Sequence, residues 1–66
     1  MRKFICGTNA NGEFHYINPD HIAKIWSHKE PEEQFYRHFI AVDIGGEITC
    51  YEISAEIENE LVNMER

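Results

Sequence analysis

"FYRHFIAVDIGGEITCYEI", residues 35–53, carries the strongest extended pattern in the chain. Tyr36, His38, Ile40, Val42 and Ile44 alternate onto one face, and Phe35, Phe39 and Ala41 onto the other, because successive strand side chains point to opposite sides. Gly45-Gly46 follows, a pair that reaches positive φ at little steric cost, and Glu47 to Ile53 returns antiparallel. With a two-residue loop, Ile40, Val42, Ile44, Tyr51 and Ile53 share a face, while Phe39, Ala41, Ile48 and Cys50 share the other. A three-residue loop would regroup them, but neither register leaves a wholly polar face. A sheet apolar on both sides needs two covers. It must curl into a small barrel or meet another copy.

Upstream, Arg2 to Cys6 and Glu13 to Ile17 read as two strands around a loose tip, Gly7 to Gly12, rich in turn formers. Asn18-Pro19-Asp20-His21 interrupts the pattern. Proline has no N–H to give a central strand, Asn18 can cap, and Pro19 suits a first helical position, so a structural corner or one helical turn is expected. Ile22 to His28 resumes as strand, although Ile22, Ile25 and Trp26 also fit helical spacing. Lys29 to Gln34 is a charged loop broken by Pro31. Downstream, Ser54 is an N-cap, Glu56 and Glu58 favour the positive end of a helix dipole, and Ile57, Leu61 and Met64 form a narrow apolar stripe. The expected fold is α+β in one domain, residues 1–66: a strongly bent, barrel-like antiparallel sheet of four or five strands over about 2–53, then a C-terminal helix over about 54–65.

A chain of 66 residues buries a small core, which rarely supplies more than about 3–5 kcal/mol without a staple. Cys6 and Cys50 allow at most one disulfide, fewer than disulfide-dense secreted scaffolds use. The apolar stretch between Lys3 and Gly7 is too short for the core of a signal peptide, and no run has the length of a membrane span. A cytoplasmic protein with reduced, structural thiols is expected, and self-association takes the place of the missing staple. Twelve acidic against six basic residues argue against direct nucleic-acid binding, which needs cations to displace counterions. The acidic balance serves solubility or a basic partner.

No catalytic, metal or cofactor site is expected. His15, His21, His28 and His38 lack the short ligand spacing of zinc sites, although strands could gather His15, His38 and a carboxylate. His38 reads as a strand-edge polar group. Cys50 lies mid-strand in an apolar setting, where a thiol is a small hydrophobe, and the expected registers do not set it opposite His38. Asp43 and Glu47 flank a turn, and Gly45-Gly46 is a turn signal, not a phosphate loop. Trp26, Phe35, Tyr36 and Phe39 suit a core or a protein interface.

"NGEFHYINPDHIAKI" and "FIAVDIGGEITCYEIS" resemble the small flagellar-operon FlbD-like proteins. Asn18, Ile22, Ile25, Gly46 and Ser54 match that pattern, while the loop at Glu30 to Gln34 is longer here and Gly45-Gly46 replaces a polar-Gly turn. The resemblance implies a non-enzymatic protein. The expectation is therefore a homo-oligomeric protein–protein interaction module. Its candidate interface is Trp26, Phe35, Phe39, Ile57, Leu61 and Met64, and its turns and caps are Asn18, Pro19, Gly45, Gly46 and Ser54. Two alternatives stand beside it: a phage or mobile-element inhibitor whose acidic surface blocks a basic nucleic-acid-binding site on a host enzyme, and an oligomer sequestering a small ligand or nucleotide.

Overall fold

A computed structural model describes residues 3–64, with the Met64 side chain left out. Five strands precede one helix: β1 (Ile5–Thr8), β2 (Phe14–Ile17), β3 (Ile22–His28), β4 (Arg37–Ile44), β5 (Glu47–Ile53) and α1 (Ala55–Met64), with a 3-10 turn at Pro19–His21 between β2 and β3. All pairings are antiparallel, in the order β2-β1-β5-β4-β3. The fold is α+β. β2 and β3 lie at opposite ends of the sheet and do not pair with each other, so the expected barrel-like closure is not formed by one chain.

Gly45 and Gly46 both take positive φ, 61° and 87°, as a two-residue primed turn requires. Ile44 therefore faces Glu47, Ile40 faces Tyr51, and Ala41 faces Cys50. This is the two-residue register. At the corner, Asn18 Oδ1 accepts the Asp20 N–H at 2.9 Å, Pro19 is buried, and the His21 N–H donates to the Asn18 carbonyl at 3.0 Å. β3 then pairs with β4 through a bulge between Ile22 and Lys24.

Two expected boundaries move. Phe35 and Tyr36 continue the alternation but lie outside β4 and are exposed. The last residue of β3, His28, faces Arg37, and the last of β5, Ile53, faces His38, so no strand remains to pair with Phe35 or Tyr36. Gly7 and Thr8, expected in the turn, belong to β1. The tip beyond them is not loose. Asn9 Oδ1 accepts the N–H groups of Asn11 and Glu13, its Nδ2 donates to Glu13 Oε1, and Gly12 has φ 81°.

One face of the sheet carries the core: Ile5, Ile17, Ile40, Val42 and Ile53, with Ile22, Ile25 and Tyr51 packed alongside. Helix α1 adds Leu61, which is 4% exposed, and the half-buried Ile57. Ser54 Oγ caps this helix by accepting the Ile57 N–H at 3.1 Å. Fully burying a leucine contributes about 1.5–3 kcal/mol, so Leu61, with Ile57 packed beside it, anchors the helix on the sheet.

Candidate functional site

Three groups of side chains bear on function. The first joins β3, β4 and α1. Ser27 Oγ donates to Glu58 Oε2 at 2.8 Å, His38 Nδ1 lies 2.9 Å from the same oxygen, and Ser27 Oγ stands 3.1 Å from His38 Nδ1. Serine, histidine and glutamate are the residue types of a hydrolytic triad, but the geometry differs. A nucleophilic serine must give its proton to one imidazole nitrogen while the carboxylate holds the other. Here the hydroxyl hydrogen goes to the carboxylate, and serine and carboxylate crowd one nitrogen. The cluster is a latch: one acceptor-only carboxylate on α1 takes hydrogen bonds from two adjacent strands. Partial burial of Glu58 raises its pKa, but the bonds from Ser27 and His38 and the attraction of His38 outweigh that and hold it below the ordinary glutamate value. The latch explains how so narrow an apolar stripe docks. His38 is thus part of the helix contact, not a bare edge group.

The second group lines an open cleft of about 720 Å³ on the core face, beyond the part α1 covers. Its walls include Phe4, His15, Tyr16, Val42, Ile44 and Tyr51. The cleft adjoins a sparse junction, since β1 meets β5 at the single register pair Thr8↔Glu52. Gly7 decides the local packing. A Cβ there would stand 2.8 Å from Ile17 Cδ1 and 2.9 Å from Tyr51 Cβ. With only a hydrogen at Gly7, the Tyr51 hydroxyl reaches His15 Nδ1 at 2.9 Å, with ring centroids 5.4 Å apart. His15 Nε2 lies 3.6 Å from Glu13 Oε1.

The third group lies on the opposite face. Trp26 and Phe39 stack with centroids 5.7 Å apart, Lys24 Nζ sits 5.3 Å from the Trp26 ring, and the Arg37 guanidinium 5.6 Å from the Phe39 ring. Arg37 also grips Glu52 with two bonds, Nε to Oε2 at 3.0 Å and Nη2 to Oε1 at 2.8 Å. These bonds hold the Glu52 carboxyl below its ordinary value and raise the Arg37 guanidinium. Trp26 and Phe39 are half-buried by each other and by these cations.

The sequence-derived interface set therefore divides. Trp26 and Phe39 lie together on the second face. Phe35 stands apart in the loop at 78% exposure. Ile57 and Leu61 are spent on the core, and the Met64 side chain is outside the described residues. Cys50, expected in an apolar setting, is an exposed free thiol, and Cys6 is free and half-buried. His15 and His38 lie on strands separated by β1 and β5, each with its own partners, so they do not meet. Among the described residues no group of three or more histidine, cysteine or acidic side chains could hold a metal. No helix among them is long and apolar enough to cross a membrane. Sequence reasoning missed Ser27, Glu58 and Gly7. The Ser54 cap three residues before Ile57 could have phased α1 and set Glu58 beside the docked stripe, but nothing local marked Ser27.

No protein-family model, no curated protein and no solved structure matches this chain.

Proposed function

We propose that this chain is a small, non-enzymatic protein–protein interaction module that works as a homo-oligomer in the cytoplasm. One observation carries the proposal. The chain buries seven hydrophobic residues and leaves eight large ones exposed, Phe4, Phe14, Tyr16, Phe35, Tyr36, Ile44, Ile48 and Val62 among the described residues. Single exposed hydrophobics need no explanation, but so many on so small a core, two of them on an open edge strand, support association. A second copy would supply the cover that the open sheet does not supply for itself. The Ser27–His38–Glu58 and Arg37–Glu52 clusters support a non-enzymatic role, since each holds elements together, and the FlbD-like resemblance points the same way. Multi-angle light scattering at micromolar concentration tests the proposal: the mass should be twice the 7.8 kDa of one chain or more, and a clean monomer rejects it.

The cleft favours a second reading, in which the oligomer also holds a small ligand. Tyr51 and His15 offer polar handles between apolar walls, the usual make-up of a ligand site. Mass spectrometry of the denatured native protein should then release a stoichiometric small molecule; its absence rejects this second reading alone.

A further inference from the structure

The two edges of the sheet are not alike. β3 carries a bulge between Ile22 and Lys24, and Lys24 stands on the strand itself. Bulges and lysines are the usual means of keeping an edge strand from pairing with another chain. β2 has neither. Its register with β1 runs uninterrupted through four pairs, and its sequence, Phe-His-Tyr-Ile, contains no lysine, arginine or proline. Phe14 is 75% and Tyr16 81% exposed. Phe14 pairs with Thr8 and Tyr16 with Cys6, so both side chains project from the face opposite the core residues Ile5 and Ile17.

The edges name the occupant: an unprotected strand pairs with a second copy of itself about a two-fold axis, and the bulged, lysine-bearing β3 edge does not carry the sheet further. Aromatic side chains present roughly 150–250 Å² each, so Phe14 and Tyr16 offer about 300 Å² of apolar surface per copy, and the paired strand backbone and its flanks add to this toward the roughly 800 Å² per partner of a stable interface. The chain carries a net charge of −6, so two copies repel through most of their surfaces, whereas β2 bears no carboxylate or fixed cation. We infer that β2 is the self-association edge. Two copies pair antiparallel through Phe14–Ile17 about a two-fold axis, the sheet continues across the interface, and the aromatic residues of both copies lie side by side. This inference rests on the homo-oligomeric proposal and specifies its surface.

The test compares the native chain with Tyr16→Lys and Ile48→Lys. Both substitutions fall on exposed strand positions; Ile48 lies on β5 and faces Asp43, away from the β2 edge. Sedimentation should give twice 7.8 kDa for the native chain and for Ile48→Lys, and 7.8 kDa for a folded Tyr16→Lys. A Tyr16→Lys chain that still dimerises overturns the β2 assignment and leaves the oligomer standing. A monomeric native chain overturns both. Amide hydrogen exchange on the native chain decides if Tyr16→Lys fails to fold. The β2 amides that point away from β1 should be protected at dimer concentrations and lose protection on dilution. Exchange at the rate of exposed amides under both conditions overturns the inference.

Discussion

Replacing Gly7 with alanine should destabilise the protein even though the backbone there can accept a side chain. Gly7 lies in a strand and is not among the glycines with positive φ. In open space, alanine at such a position gains about 0.4–1 kcal/mol by restricting the unfolded chain. Here the new methyl would meet Ile17 Cδ1 at 2.8 Å, Tyr51 Cβ at 2.9 Å and Tyr51 Cγ at 3.3 Å. The isoleucine tip can rotate away. The tyrosine Cβ cannot move without its backbone, and β5 is held along its length by β4. Overpacking of this kind costs about 1–3 kcal/mol, so a net loss of about 1–2 kcal/mol remains after the entropic gain. For a domain of this size that lowers the melting temperature by roughly 5–15 °C. Thermal melts by circular dichroism supply the number. Proton-detected spectra should also show that the Tyr51–His15 hydrogen bond has been lost. An alanine variant as stable as the native chain would refute the close approach and the role given to Gly7.

Leu61→Ala should cost about 2–4 kcal/mol, as for other buried leucines, and nearly unfold so small a domain; urea unfolding checks this, and an unchanged midpoint would mean that α1 is not docked. Acid should destabilise the fold through Glu58 and Glu52, whose carboxyls are both depressed in the folded state. The stabilisation from a depressed carboxylate is complete above its unfolded pKa and is lost as pH falls through the folded one. The loss should therefore begin near pH 4.5, the ordinary glutamate value, and continue downward. Glu58→Gln should flatten this acid limb and lower stability at neutral pH; pH-dependent melts of the two chains compare them directly, and parallel acid limbs would contradict the latch.

The features legible in the sequence are those set by neighbours along the chain. Gly45-Gly46 marked the hairpin because two adjacent glycines can supply two positive φ angles, while the register itself, open between a two- and a three-residue loop in the sequence, came from the pairing of β4 with β5. Asn18 and Pro19 marked the corner through a side-chain cap and a missing N–H, and Ser54 marked the start of α1 in the same way. Features that depend on distant residues were hidden. Gly7 resembles a turn residue beside Thr8 and Asn9, yet its role comes from the Tyr51 ring that closes over it. Phe35 and Tyr36 obey strand alternation but find no strand opposite. The latch draws Ser27, His38 and Glu58 from three elements, and no spacing announces it. Two apolar faces were read correctly, but not how the second is dressed. Trp26 and Phe39 stack there under Lys24 and Arg37, while Phe14 and Tyr16 stand bare on the β2 edge.

If association covers the surface that the single chain leaves bare, folding and assembly are linked, and mass action makes the midpoint of unfolding depend on protein concentration. Calorimetric melts across about two decades of concentration, from low micromolar upward, measure this directly. The melting temperature should climb steadily with concentration, with dissociation to unfolded 7.8 kDa chains. A melting temperature that stays constant over the whole range would contradict that linkage.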